Sequence, residues 1–155
     1  MLTSVFGLGF MPVASGTFGS MPTVIVFALL CFINAGVLVT SVVMAAIVLF
    51  FSFACVKFGD EIIAKAGKDD PSEIVADEAA GQAVAFIGAY AAGTSNILIV
   101  SAIGFFVFRF FDILKPEPCR SLEKLHGGVG VLADDLMAGV YTAAVLQVCV
   151  YLFKL

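Results

Sequence analysis

Residues 21–56 read MPTVIVFALLCFINAGVLVTSVVMAAIVLFFSFACV, a run without one Asp, Glu, Lys or Arg. At about 20 residues per crossing it is long enough for two membrane helices, and Asn34-Ala35-Gly36 is the natural break between them. The expectation is a span A over 20–34 and a span B over 37–56. Val, Ile and Phe, abundant in span B, are weak helix formers in water. In hydrocarbon every backbone polar group must pair within the protein, which forces helix. A β-barrel is disfavoured because no stretch sustains the ten-residue alternation that barrel strands need.

The same excess holds along the chain. Of 155 residues, 61% are hydrophobic and 13% charged, with a mean hydropathy of +1.11, against roughly 45–50% apolar and about 25% charged in soluble domains. A water-soluble domain and intrinsic disorder are both excluded, and the length fits a single domain over 1–155. A net charge of -4 without a basic stripe excludes a nucleic-acid surface. Cys31, Cys55, Cys119 and Cys149 form no CxxC pair, so neither a disulfide framework nor a zinc site is expected. The N-terminus lacks a basic region and is broken by Gly7, Gly9, Pro12 and Gly16, so a cleaved signal peptide does not fit.

The charges fall in two islands. Lys57–Glu78 holds three Lys and seven acids, Arg109–Asp135 four bases and five acids, while 1–56 and 79–108 hold none. Between and after the islands lie span C over 78–93, span D over 97–111 and span E over 136–153. C and D are expected to form a hairpin about the uncharged turn 93–96. Five spans put the N-terminal segment and both islands on one side, and seven of the eight Lys and Arg lie there. The positive-inside rule assigns that side to the cytoplasm. The expected fold is an all-α polytopic membrane bundle of about five spans with catalytic loops on the cytoplasmic face. Spans A, C and D are short, which leaves a tilted or re-entrant segment as an alternative.

Four segments carry polar chemistry. Ser15-Gly16-Thr17-Phe18-Gly19-Ser20 is a Gly-rich approach to span A, with Ser20 as its N-cap and Pro22 in its first turn. Gly16 and Gly19 could converge backbone N–H groups that hold an anion with the hydroxyls of Thr17 and Ser20; an ordinary turn is the alternative. Asp70, Asp77 and Glu78 lead into span C, either as cation ligands or as a solvated helix start favoured by the dipole. Arg109, Asp112 and Lys115 recur every three residues on one face until Pro116 and Pro118 stop the helix. They suit a site for a cation and a phosphate, or a snorkelling structural pair. A Gly-rich turn after His126 then leads to Asp134-Asp135 at the head of span E. Adjacent carboxylates repel unless a cation or proton separates them. His126 titrates near neutrality, and its role stays open. Acidic clusters brought to one face make an all-oxygen site, which suits Mg2+ and phosphoryl chemistry on a membrane-embedded molecule. A small cation transporter or channel with boundary carboxylates is the rival from another class.

Three stretches go further: SGTFGS at 15–20, IVADEAAG at 74–81 and FRFFDILKPEPCRSLEKLHGGVGVLADDLMAGVY at 108–141. Together they resemble the phosphatidylglycerophosphatase A family, over nearly the whole chain. The resemblance implies a bacterial inner-membrane enzyme, Mg2+-dependent, that hydrolyses phosphatidylglycerophosphate to phosphatidylglycerol and so also feeds cardiolipin synthesis. It implies Asp70, Asp77, Glu78, Asp112, Asp134 and Asp135 as metal positions, and Arg109, Lys115, Arg120 and His126 as the basic ones. Arg109, Lys115 and Arg120 are then expected to bind phosphate with Gly16, Thr17, Gly19 and Ser20. Asp134, Asp77 and His126 are the expected catalytic groups, by water activation or by carboxylate attack on phosphorus. Two departures from the family's usual pattern are Ser15, where Pro is common, and Gln82, where an apolar residue is frequent.

Overall fold

The computed structural model describes Thr3 and residues 15–66, 74–91, 93–122, 125 and 127–155. Its helices are α1 (Ser15–Phe32), α2 (Gly36–Ala66), α3 (Ala76–Phe86), α4 (Thr94–Leu114), α5 (Cys119–Leu122) and α6 (Gly128–Phe153), with no strand among the described residues. The all-α expectation holds. Three stretches are long and apolar enough to cross a membrane, Gly36–Ala64, Asn96–Leu114 and Gly128–Phe153, and α1 supplies a shorter apolar helix, Gly16–Phe32.

The outside of the bundle is apolar and the inside small or polar. Leu38, Leu49, Phe106 and Ile113 are largely exposed, whereas Ala76, Ala79, Ala80, Ala83, Gln82, Thr40 and Thr142 are buried. Helices in lipid pack through small residues that let backbones approach, with polar groups bonding inside. An apolar exterior this extensive marks a surface covered by lipid.

Span C is the main correction. An 11-residue helix rises about 16 Å, half of a hydrocarbon core about 30 Å thick. Helix α3 is buried at nearly every position. The chain covers the remaining distance without helix: Ile87 is extended and Gly88 turns at φ +78°. Within the irregular stretch Ile87 and Gly88 are exposed and Ala89 and Ala91 are buried, and the Gly88 N–H donates to Ser41 Oγ of α2 at 3.0 Å. Tyr90 Oη donates to Asn34 Oδ1 at the far end of α1, 3.4 Å away. Backbone polar groups at membrane depth must find partners within the protein. The connection between C and D therefore starts at Ile87, ahead of the expected 93–96 turn, and α4 begins at Thr94, just after Gly93 at φ +83°.

Three further boundaries move. Helix α1 starts at Ser15, so Ser20 lies in its second turn and donates to Gly16 O at 3.0 Å instead of capping. Pro22 accordingly sits inside the helix. Helix α2 continues ten residues past the end of span B, and α6 begins eight residues before span E. The turn after His126 is confined to Gly127 at φ +73°, and Gly128 and Gly130 are helical. Gly128 is there for proximity: a Cβ on it would overlap Cys55 O of α2.

The core lies toward the end opposite the charges. Phe27 of α1 stacks on Phe86 of α3, centroids 4.1 Å apart and 8° from parallel. Met44, Val100 and Leu146 bring α2, α4 and α6 to the same cluster.

Candidate active site

At the charged end, α3 and α6 cross backbone to backbone. A Cβ on Gly81 would strike Asp135 O, and one on Gly139 would strike Gly81 O. Each contact glycine is preceded four residues earlier by an aspartate, Asp77 before Gly81 and Asp135 before Gly139. Both helices run away from the charged end, so one turn up from their contact each presents its aspartate toward the other. Asp77 and Asp135 are both buried, at 5% and 4% exposure. The carboxylates of Asp77, Asp112, Glu78 and Asp134 all lie close enough for their charge to bear on Asp135. The repeated D-x-x-x-G in DEAAG and DLMAG was the sequence signal for this convergence, and reading hydropathy alone misses it.

Helix α4 delivers the cations in its last turns. Arg109 Nη1 lies 2.7 Å from Asp112 Oδ2 and 3.1 Å from Glu78 Oε1. Lys115, the left-handed residue that ends α4 at φ +45°, places Nζ 2.7 Å from Asp134 Oδ2. Asp134 Oδ1 accepts the Asp135 N–H at 3.0 Å. Five carboxyl groups thus face two cations at the charged end of the bundle.

The Gly-rich start of α1 has an occupant already. A Cβ on Gly16 would overlap Glu78 Oε1, and one on Gly19 would lie 2.7 Å from Oε2. These glycines make room for the Glu78 carboxylate on the first turn of α1. Ser20 is buried and its proton is spent on α1's own carbonyls, while Thr17 is half-buried. Arg120 is exposed on α5, and no ion pair among the described residues includes it. Asp70 and His126 lie outside the described residues. Burial, reinforced by the Asp134 charge, pushes the Cys119 thiol above its ordinary value, which argues against a thiolate nucleophile.

Among the described residues no three His, Cys, Asp or Glu side chains stand as a ready metal cage, and Asp112 and Asp134 are paired with Arg109 and Lys115. The donor set itself, all carboxylate oxygen with an excess of negative charge, fits a hard divalent cation such as Mg2+.

The family description phosphatidylglycerophosphatase A matches residues 1–150. The chain belongs to the phosphatidylglycerophosphatase A family. A phosphatidylglycerophosphatase A of Haemophilus influenzae is 33% identical over 151 residues, covering 94% of this chain and 85% of that relative. The Escherichia coli phosphatidylglycerophosphatase A is 33% identical over 147 residues, 94% of this chain and 80% of that one. A Bacteroides thetaiotaomicron protein, provisionally named a phosphatidylinositol-3-phosphatase, is 35% identical over 145 residues, 92% of this chain and 87% of its own. No solved structure matches. Membership in the phosphatidylglycerophosphatase A family makes the chain a phosphatase, and its apolar helices make it a membrane protein.

Proposed function

We propose that this chain is a Mg2+-dependent phosphatase that hydrolyses phosphatidylglycerophosphate to phosphatidylglycerol and inorganic phosphate, at the cytoplasmic face of a bacterial inner membrane. One observation carries the proposal: five carboxylates and two cations from α3, α4 and α6 converge at one end of a bundle whose flanks are apolar. A lipid can lay its acyl chains against such flanks while its phosphate reaches the charged end. The cytoplasmic assignment rests on the concentration of Lys and Arg at that end.

Arg109 and Lys115 are the phosphate ligands in this proposal. Each now holds carboxylates, so an incoming phosphate exchanges one charge-assisted pair for another and leaves carboxylate oxygens of Asp112 and Asp134 for a cation. Asp77, Glu78, Asp112, Asp134 and Asp135 would hold the Mg2+, with Asp70 as a further candidate. When bound, Mg2+ supplies positive charge to the phosphate oxygens and favours ionisation of a water. Asp77 and Asp134 are the bases placed to take a proton from attacking water, or the carboxylate that attacks phosphorus first. His126 is the candidate donor to the leaving oxygen. Enclosure at the α3–α6 crossing keeps the carboxylates in a poorly hydrated setting, where their charges act more strongly than in bulk water.

The test is phosphate release from phosphatidylglycerophosphate by the detergent-purified protein, with Mg2+ or with excess chelator, beside Asp135→Asn. Release that needs Mg2+ and falls roughly 10²–10⁴-fold in the variant is expected for a group acting directly in proton transfer or charge stabilisation. A phosphatidylinositol 3-phosphate arm separates the two headgroups for which relatives are named. Faster release there would move the substrate and leave the phosphatase chemistry standing.

A further inference from the structure

The first N–H groups of a helix have no acceptor within it, and the residue that opens α6, Gly127, has no side chain to provide one. The acceptor comes from α2. Asp60 Oδ1 takes the Gly128 N–H at 2.8 Å. The same carboxylate occupies the space over Gly127, where a Cβ would overlap Oδ1. Beside it, a Cβ on Gly59 would lie 2.8 Å from Gly128 Cα, and the Cys55 thiol donates to Gly128 O at 3.4 Å. Positions 55, 59 and 60 of α2 thus hold the backbone of a single residue of α6 on three sides.

That residue stands six and seven positions before Asp134 and Asp135, about 9–10 Å along the axis. An α-helix is stiff over two turns, so a shift or rotation where α6 begins is passed on to the acidic pair. Asp60 also sets a negative charge at the positive end of the α6 dipole, which strengthens the hold. Asp60 belongs to the part of α2 that extends beyond the expected span. None of the ion pairs at the candidate site among the described residues includes it.

We propose that Asp60 is a positioning residue for the phosphatase reaction: it fixes the start of α6 and thereby the register of Asp134 and Asp135 against Asp77 and Lys115. This rests on the assignment of the acidic pair to the active site. A misplacement of about 1 Å can cost up to about 10²-fold in rate without touching the chemistry.

The experiment compares wild type, Asp60→Ala, Asp60→Asn and Asp60→Glu in detergent, following kcat and KM for phosphate release together with amide hydrogen exchange over 128–131. Asp60→Ala should lower kcat about tenfold, hold KM within about twofold, and speed exchange at 128–131. Asp60→Asn keeps an oxygen acceptor and should recover most of both losses. Asp60→Glu keeps the charge but displaces the oxygen by one methylene, so it should lower kcat less than Ala; it carries the test if the Ala variant does not fold. Wild-type turnover in the Ala or Glu variant, or a kcat loss with unchanged exchange at 128–131, overturns the proposal. So does an Asn variant that folds but is as slow as Ala. A wild type that releases no phosphate brings down the phosphatase assignment itself, whereas an active wild type beside an unimpaired Asp60→Ala brings down only the role of Asp60.

Discussion

Helices α2 and α3 both contain long uncharged stretches, yet they sit in the molecule in opposite ways. Helix α2 carries Leu38, Val42, Leu49, Phe50 and Phe53 outward on its exposed side. Helix α3 beyond Glu78 is Ala-Ala-Gly-Gln-Ala-Val-Ala-Phe, buried at every position but Val84. Helix α3 is the shorter and the less apolar of the two. Side-chain volume also separates them, because lipid accepts large flexible side chains while a helix enclosed by four others must be thin. The enclosed helix is also the one that starts with site carboxylates, and the lipid-facing one reaches the site only through its end.

Substitutions along the two helices should separate these roles. The largest effect is expected from Asp77→Asn at the start of α3: release of phosphate should drop roughly 10²–10⁴-fold, with unchanged membrane insertion by fractionation, and near-normal turnover would remove Asp77 from the site. Next comes Phe86→Ala at the other end of α3, which deletes the ring stacked on Phe27 and packed over Gly104. It should destabilise the fold by about 3–5 kcal/mol, seen as a lower thermal midpoint in detergent with the chemistry of the surviving folded fraction intact. Gly81→Ala pushes a methyl against the Asp135 carbonyl and should cost about 1–3 kcal/mol, together with a loss of kcat, since the crossing it spreads is the one that aligns Asp77 and Asp135. Smallest is Leu38→Ala on the lipid-facing side of α2, expected within about 0.5 kcal/mol of wild type and without effect on turnover. A large effect there would mean that this face packs against protein.

Much of this comparison was legible in the sequence. The charge islands sort the chain into a charged and an uncharged end, and the ends of α2 and α4 and the starts of α1, α3 and α6 meet at the charged one, as Gly16, Gly59, Glu78, Arg109 and Gly128 attest. The convergence of Asp77, Glu78, Arg109, Asp112, Lys115, Asp134 and Asp135 follows from that sorting. The length of α3 was not legible, because an Ala- and Gly-rich run has the hydropathy of a crossing whether it is helical for eleven residues or for sixteen. Nor was the start of α6: Gly-Gly-Val-Gly carries the signature of a turn, and the contacts of Gly128 with Cys55, Gly59 and Asp60 of α2 are long-range. In the Gly16–Ser20 segment the Glu78 carboxylate lies against the two glycines, a proximity that the sequence does not display. Glycines that admit an anion and glycines that admit a neighbouring glutamate look the same in one dimension.

The irregular backbone at 87–91 bears on how the chain enters its membrane. A helix is released into lipid when its own length and surface satisfy the bilayer, and α2, α4 and α6 meet that condition alone. The segment from α3 to Ala91 does not, for its helix is only eleven residues long and buried at nearly every position, and the irregular backbone after it bonds to Ser41 of α2 through the Gly88 N–H. Helix α6, which packs against α3, is later in the sequence, so the contact of Asp77 with Asp135 exists only once α6 is present. A chain cut short before α6 would keep Asp77, Glu78 and Asp112, with Arg109 paired to two of them, and would lack Asp134 and Asp135.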